Sequence, residues 1–306
     1  MRSTFGFPAD TLSNFSLISN VESTAVVFAL ISAFLFALTN HLQSLGLRGS
    51  DARSGSLVNI AAGAVMYWLL APFYLESWYW FTGACALFAL VGLFRPSLSS
   101  AMALSSIQYM GPTLTSALTA CAPIFGALFA VTLLGEQLTP RIAIGTLAVV
   151  AGCAISAYRK QGVLRDWPLW TLILPLGAAF VRASGHAGTK LGLEEIASPS
   201  FAVLVGNTVS LVVATIAFRI EGRTFTGNLD SHRWFIAAGI AAGLSLHFLN
   251  SALQMGTLVS VVPIVSASPV FTMLLGYLVF KREIITWQTI AAMALVVPGV
   301  ILVVTS

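Results

Sequence analysis

Charged residues are scarce in this sequence. Only 8% of the 306 residues are Asp, Glu, Lys or Arg, whereas 57% are hydrophobic. Soluble domains carry about a quarter charged residues, so this composition excludes a protein that presents its whole surface to water. Many apolar runs reach the roughly 20 residues that a helix needs to cross a bilayer. The sequence therefore predicts an all-α polytopic membrane protein that passes repeatedly through the inner or plasma membrane and contacts its lipids.

Paired cysteines, mid-span carboxylates and a cleavable leader are also missing. Cys85, Cys121 and Cys153 fall inside apolar spans without CxxC spacing, which predicts inert thiols and no metal or cofactor site. None of the eleven carboxylates falls near the middle of a predicted span, although proton-coupled pumps commonly use such a group. The first 20 residues lack the pattern of a cleaved signal peptide. The net charge of +4 suits anionic lipid headgroups and predicts no nucleic-acid partner.

The apolar runs divide into ten predicted spans. The connections at 110–112 and 255–257 are so short that the spans on either side must form tight helical hairpins. The third span is too long for a straight crossing, and Pro96 predicts a kink or a break within it. The predicted spans lie near 24–47, 55–75, 79–109, 112–135, 139–158, 168–190, 200–219, 233–255, 258–281 and 285–304.

The sequence repeats itself at an offset of 145 to 147 residues. The run "APIFGALFAVTLLGEQLT" at 122–139 returns as "SPVFTMLLGYLVFKREIIT" at 268–286, and further matches place Gly152 on Gly299 and His41 on His186. A repeat of five crossings ends on the opposite side of the membrane, so its copy must be inserted upside down. Inverted repeats are typical of transporters that alternate access around a midplane site. We therefore expect two inverted five-helix repeats around a central cavity, with a tail at 1–21, repeats at 22–158 and 168–306, and a connection at 159–167.

The Pro-x-Phe run that ends in "LLGEQLT", followed by a Gly-bearing final span, resembles the drug/metabolite transporter superfamily in its ten-helix EamA branch. Within that branch it is most similar to amino-acid exporters of the YddG type, and the resemblance covers residues 22 to 304. It implies a basket of ten helices, a cavity lined by spans 1, 3, 4, 6, 8 and 9, and export of metabolites such as amino acids. The second copy departs from the pattern, because Lys281 and Arg282 precede Glu283 where the first copy has Leu-Gly.

Polar side chains deep inside predicted spans are candidates for substrate contact, because an ionisable group at the bilayer centre costs roughly 2.5–3.5 kcal/mol. The alternative for each is an interhelical hydrogen bond. His247, Asn250 and Gln254 share one face of span 8. Pro123 and Pro269 are predicted hinges, since proline weakens the helical hydrogen-bond ladder. The predicted substrate-binding residues are Asn40, His41, Gln108, Tyr109, Arg182, His186, His247, Asn250 and Gln254.

An amino acid suits this set of side chains. Its carboxylate can meet Arg182 or a histidine, while the carbonyl oxygens of Asn and Gln accept from its ammonium group. No mid-span carboxylate is present to neutralise a cationic drug. The sequence thus predicts broad amino-acid export driven by the substrate gradient, and one chain contains enough spans to act as a monomer. The alternative is a proton-coupled exporter of drugs or other metabolites.

Two other function classes are less well supported by the sequence. A channel would need a ring-forming filter or a pore lining of one charge sign, and neither is evident. An intramembrane enzyme would depend on the short G-x-S-x pattern around Ser245, which is expected by chance in a chain rich in Gly and Ser. We therefore predict that the chain is not an enzyme.

The Lys and Arg residues predict the orientation of the chain. By the positive-inside rule the side with more of them faces the cytoplasm, which places both termini outside, and tag accessibility on intact cells would test this. The terminal side carries only Arg2, Arg141 and Lys190. The opposite side carries Arg48, Arg53, Arg159, Lys160, Arg165, Arg219, Arg223, Arg233, Lys281 and Arg282.

Overall fold

The computed structural model of the chain describes residues 9–95, 98–99, 102, 105–106, 109, 115, 118–157, 168–222, 224–280 and 287–305. These residues form eleven α-helices and include no β-strand. The helices are α1 Ala9–Gly46, α2 Ala52–Leu70, α3 Gly83–Phe94, α4 Ala122–Leu133, α5 Pro140–Ala157, α6 Ile173–Glu195, α7 Pro199–Ile220, α8 Leu229–Met255, α9 Leu258–Ser266, α10 Ser268–Leu278 and α11 Trp287–Val304.

The helices have the length and composition of a membrane bundle. Among the described residues, five segments are long and apolar enough to cross a membrane, namely Ser23–Gly46, Ala52–Phe73, Pro199–Ile220, Leu229–Met255 and Leu258–Leu278. Four shorter apolar segments of 10–17 residues lie at Gly83–Phe94, Ala122–Leu133, Pro140–Ile155 and Ile290–Val304. The predicted fold class, an all-α polytopic membrane protein, is confirmed.

Helix α6 differs from these segments because its sequence is more polar. It carries Arg182, His186 and Lys190, and it packs against α3, α4, α8 and α9. The buried residues of α6 include several small ones, among them Ala179, Ala183 and Gly185. A polar helix inside a membrane bundle must direct its polar groups towards a cavity or towards partners in the protein. Helix α6 therefore marks the inner wall of the molecule.

Several helix boundaries follow directly from local sequence. The side chains of Asp51, Thr82, Ser198 and Asn228 accept backbone N–H groups at the starts of α2, α3, α7 and α8. The predicted hairpin at 255–257 is confirmed, since α8 ends at Met255 and α9 begins at Leu258. Helix α3 ends at Phe94. Pro96, which predicted a break in this span, and the other hairpin at 110–112 lie outside the described residues.

The last helices of the two repeats pack against each other in antiparallel orientation. A Cβ on Gly145 would lie 2.6 Å from the carbonyl oxygen of Gly299, and a Cβ on Gly152 would lie 2.9 Å from that of Ala292. As the residue number rises along α5, the contacted number falls along α11. Gly152 and Gly299 are equivalent positions in the two repeats, and so are Gly145 and Ala292. An approximate two-fold axis that lies across the bundle therefore relates α5 to α11.

The same two-fold relation holds between helices nearer the centre. Phe88 of α3 lies against Gly192 of α6, and Phe235 of α8 lies against Gly46 of α1. Both phenylalanines are buried, and the second contact joins the repeat equivalents of the first pair. In addition, Gly92 closely approaches the backbone of Gly206, and the equivalent Gly239 closely approaches that of Asn59. The two halves thus use the same helix contacts in opposite orientation.

Candidate functional site

A central cavity of about 760 Å³ lies between the helices. Every helix from α1 to α10 contributes at least one residue to its wall. More of the wall surface is apolar than polar, and its polar side chains come from several helices. The volume falls in the range of 300–1,000 Å³ that is typical of small-molecule sites. The cavity is therefore large enough for a metabolite.

The cavity extends towards one end of the bundle, which we call the Asp51 end. Its wall includes Gln43 and Ser56, each about one helical turn from the α1–α2 connection at 47–51. At the opposite end, which we call the Lys190 end, its wall includes Thr189 of α6 and Val203 of α7, which are the repeat equivalents of Gln43 and Ser56. The cavity thus reaches about equally far towards both ends of the bundle.

A buried ion pair ties the helices together at the Lys190 end. Nζ of Lys190 lies 3.4 Å from Oε1 of Glu136, and the two side chains are only 14% and 9% exposed. The Glu136 carboxylate accepts the backbone N–H groups of Leu258 and Val259 at 2.8 and 2.9 Å. The Lys190 ammonium donates to the carbonyl oxygens of Leu253 and Gly256 at 3.1 and 2.5 Å. Each charge therefore sits at the helix end whose dipole favours it.

The Gly135–Glu136 pair of the first repeated run has a structural role at the end of α4. Gly135 has a φ of +64°, a left-handed conformation that glycine adopts without strain. The backbone N–H of Glu136 then donates to Ala130 at 3.0 Å, which closes the end of α4. This turn directs the Glu136 side chain to the start of α9. Glu136 thus pairs with Lys190 and caps α9 rather than α5, the helix that follows it in the chain.

At the Asp51 end, polar contacts join the α1–α2 connection to the α7–α8 connection. Asp51 accepts a hydrogen bond from the Thr226 hydroxyl, and the backbone N–H of Thr226 donates to Oγ of Ser54 at 3.0 Å. Arg53 and Glu221 form an ion pair at 3.1 Å. Hydrogen bonds from the side chains of Ser54 and Thr226 lower the pKa of Asp51 to about 2. These contacts link the α1–α2 connection to the α7–α8 connection.

One wall of the cavity carries positive charge, and we call it the cation wall. It consists of Arg95, which follows α3, together with Arg182 and His186 of α6. The Arg95 stem crosses α6 at Gly185, where a Cβ would lie 3.1 Å from its Cδ. Arg182 lies about one turn of α6 before Gly185 and lines the same cavity, so both arginines belong to this wall. No carboxylate belongs to the described residues that line the cavity.

Side-chain amides form a second group, the amide wall, which consists of Asn40, Asn59, Asn207 and Asn250. The buried Oδ1 atoms of Asn59 and Asn250 have no hydrogen-bond partner, and neither has the buried Nδ1 of His186 on the cation wall. An unpaired buried polar atom costs about 1–3 kcal/mol, so such atoms are expected to bind water or a ligand. The cavity therefore offers both charged donors and free carbonyl acceptors.

Four of the predicted substrate-binding residues line this cavity. Asn40, Arg182, His186 and Asn250 come from α1, α6 and α8. The predicted hinges Pro123 and Pro269 line it as well, in the first turns of α4 and α10. Proline is well accommodated there, because the first helical turn has no internal acceptor for its missing N–H. Whether these spans bend during transport stays a prediction.

The other predicted binding residues lie elsewhere. His41 contacts the carbonyl oxygen of Thr272 through Nε2 at 2.8 Å and stacks on Phe280. His247 bonds the Ser200 hydroxyl at 3.2 Å, and Gln254 donates to the Ala197 carbonyl at 3.3 Å.

The remaining two candidates belong to span 3. Tyr109 is 45% exposed and packs edge-on against Trp170. Gln108 lies outside the described residues. For His41, Tyr109, His247 and Gln254 the described contacts are structural, and a role in substrate binding stays a prediction.

Sequence reasoning did not include Arg95, Asn59 or Asn207 among the site residues. The available signal was the polarity of asparagines deep inside spans 2 and 7, which were not expected to line the cavity. Among the described residues, no group of three or more His, Cys, Asp or Glu side chains could hold a metal ion.

Ser245, the serine of the G-x-S-x pattern, is fully buried between α1 and α8. Its hydroxyl donates to the carbonyl oxygen of Ser32 at 2.8 Å, and the Ser32 hydroxyl donates to that of Ser245 at the same distance. This reciprocal pair is an interhelical hydrogen-bond arrangement.

Comparison with known proteins agrees with this architecture. No curated protein matches the sequence. A solved structure described as "Crystal structure of protein" has the same fold, with a TM-score of 0.80 at 14% identity over 92% of this chain and 96% of that one. The model of the EamA-like transporter family matches residues 23–158 and again residues 169–305. The chain, with its two repeats and central cavity, therefore belongs to the EamA-like transporter family of membrane proteins.

Proposed function

We propose that this protein exports amino acids across the inner or plasma membrane by alternating access. The observation that carries the proposal is a metabolite-sized cavity with polar groups in its wall, enclosed between two inverted repeats. Inverted repeats around a central site are typical of transporters that work by alternating access. The charge pattern of the connections predicts that the Asp51 end faces the cytoplasm, so the substrate would load from there.

The cavity chemistry supports an amino acid as the substrate. The carboxylate would bind to the guanidinium group of Arg182, and the ammonium group would donate to a free amide oxygen such as that of Asn250. The apolar remainder of the wall would tolerate side chains of different size. The resemblance to YddG-type exporters implies the same substrate class. One chain supplies the whole wall, so a monomer is sufficient.

Counterflow in vesicles that contain the purified protein would test this function. Vesicles loaded with unlabelled amino acids should accumulate the labelled amino acid with saturable kinetics. Replacing Asn250 by Ala should raise the KM about tenfold, since a lost hydrogen bond to a charged group costs about 1.5–3 kcal/mol. Leu128→Ala on α4, an exposed residue outside the cavity wall, serves as the matched control and should leave the KM unchanged.

Two results would contradict the proposal. Vesicles that move cationic dyes but no amino acid would overturn the substrate class. Flux that is abolished by a proton uncoupler would instead show that the energy source is a proton gradient. The described cavity wall contains no carboxylate that a proton carrier would commonly use, so we expect the uncoupler to have little effect.

A further inference from the structure

We propose that the preferred substrates are amino acids with two carboxylate groups. This inference rests on the proposed function and narrows its substrate class. It depends on the number of positive charges in the cavity, on the absence of negative charge from the described part of its wall, and on the position of the free amide oxygens.

The cavity holds two guanidinium charges. Arg95 and Arg182 line it together, and the described ion pairs of the chain, Arg53–Glu221, Lys190–Glu136 and Arg233–Asp230, lie elsewhere. The sequence of residues 96–117, which continues from Arg95, contains no Asp or Glu. A substrate with one carboxylate neutralises one of the two charges. A second carboxylate would neutralise the other, so two carboxylates match the site in charge.

The two-fold relation between the repeats shows that the fold does not require a charged side chain at these two positions. The offset that relates Phe88 to Phe235 places Ala242 at the position equivalent to Arg95. The offset that relates Gly192 to Gly46 places Phe36 at the position equivalent to Arg182. Both Ala242 and Phe36 line the cavity. The scaffold therefore accommodates uncharged side chains at these depths, and the two arginines belong to one wall only.

The amide wall indicates that the substrate also carries an amine. The Oδ1 atoms of Asn59 and Asn250 are buried acceptors without a partner, and a carboxylate cannot donate to them. An ammonium group has three N–H donors and would pair with one of these oxygens. A dicarboxylate without an amine, or inorganic phosphate, would match the arginines but would leave these oxygens unpaired.

Counterflow and thermal stabilisation of the detergent-purified protein would test the inference with four probes, namely L-glutamate, L-leucine, succinate and inorganic phosphate. We expect glutamate to be bound and transported at least tenfold better than leucine, succinate or phosphate, since hydrogen bonds between charged groups are the strong ones. Arg95→Gln should raise the KM for glutamate at least tenfold and leave that for leucine nearly unchanged. Arg48→Gln, an exposed arginine outside the cavity, is the matched control and should change neither.

Each outcome decides the inference. Equal transport of leucine and glutamate, or an equal loss of both in Arg95→Gln, would overturn the two-carboxylate preference while the proposed function stands. Equal stabilisation by succinate or phosphate would overturn the role of the amine. Stabilisation by glutamate that Arg95→Gln removes, in vesicles that move no amino acid, would retain the inference and refute transport. If Arg95→Gln does not fold, Arg182→Gln and the charge-retaining Arg95→Lys replace it, and Arg95→Lys should keep the preference for glutamate.

Discussion

At the scale of single residues, the contacts of Lys190 explain why one polar stripe of α6 has two roles. Arg182, His186 and Lys190 follow each other at four-residue steps, so they lie on one face of the helix. Arg182 and His186 line the cavity, but Lys190 is one turn further on and meets Glu136 and the end of α8. Periodicity identifies the face, whereas the position of the neighbouring helix decides which of its residues line the cavity and which pair with protein groups.

Breaking the Lys190–Glu136 pair should strongly destabilise the protein. Lys190→Met leaves the buried Glu136 carboxylate without its counter-charge, which costs about 3–5 kcal/mol when one partner of a buried pair is removed. Thermal unfolding in detergent measures this as a lower Tm. The double variant Lys190→Met/Glu136→Gln should recover part of the loss, since no lone charge remains.

The exposed pair Arg233–Asp230 provides the control for that experiment. Its atoms are 3.6 Å apart, but the side chains are 71% and 81% exposed, so Asp230→Asn should change the stability by less than about 1 kcal/mol. A similar small effect for Lys190→Met and Asp230→Asn would show that the Lys190 end is not held by its ion pair.

Asp51 should make the stability dependent on pH in the acidic range. Its folded-state pKa of about 2 lies below the usual 3.8, so its contribution is fully present above about pH 4 and is lost as the pH falls towards 2. Asp51→Asn should therefore lower the Tm at pH 6, because the charge-assisted hydrogen bonds to the Asp51 carboxylate become weaker neutral ones. The difference between the two proteins should shrink as the pH is lowered from about 4 to about 2. A difference that stays constant over this range would contradict the assignment.

At the scale of helices, glycine allows the closest contacts between the repeats. In helices α5 and α11 the backbones approach at Gly145 and Gly299, because neither residue has a side chain to hold them apart. The sequence predicted the repeat and the equivalence of Gly152 and Gly299, but it did not predict that these two helices pack against each other. A repeat shows which positions correspond; it does not show which positions touch.

Gly145→Ala should therefore destabilise the bundle, although alanine normally favours a helix. The added Cβ would lie 2.6 Å from the Gly299 carbonyl oxygen, so α5 and α11 would have to separate. Gly206→Ala on α7 is the matched control, since a Cβ there meets nothing within 4 Å. We expect a lower Tm for Gly145→Ala and an unchanged or higher Tm for Gly206→Ala, where alanine gains up to about 1 kcal/mol of helix propensity. Equal effects would contradict the close packing.

At the scale of the whole molecule, composition and repeat structure predicted the fold class, and the family match confirms it. The binding site was only partly predictable. Hydropathy finds polar residues inside spans, but it does not show which polar face meets a cavity and which meets another helix. Asn250 lines the cavity, whereas His247, only three residues earlier on the same predicted face, bonds to Ser200. Conversely, α2 and α7 were not expected at the wall, yet they contribute Asn59 and Asn207.

The two-fold packing of the repeats sets a condition on how the cavity acquired its charge. Two identical half-length subunits that met in this geometry would form a symmetric pocket, because any side chain on one wall would appear on the other as well. A pocket with Arg95 and Arg182 on one wall, and Ala242 and Phe36 at the equivalent positions, is impossible for such a homodimer. Joining both halves in one polypeptide removes this restriction, since each copy can then change independently. Gene fusion is thus what permits this symmetric scaffold to bind an asymmetric molecule in a single orientation.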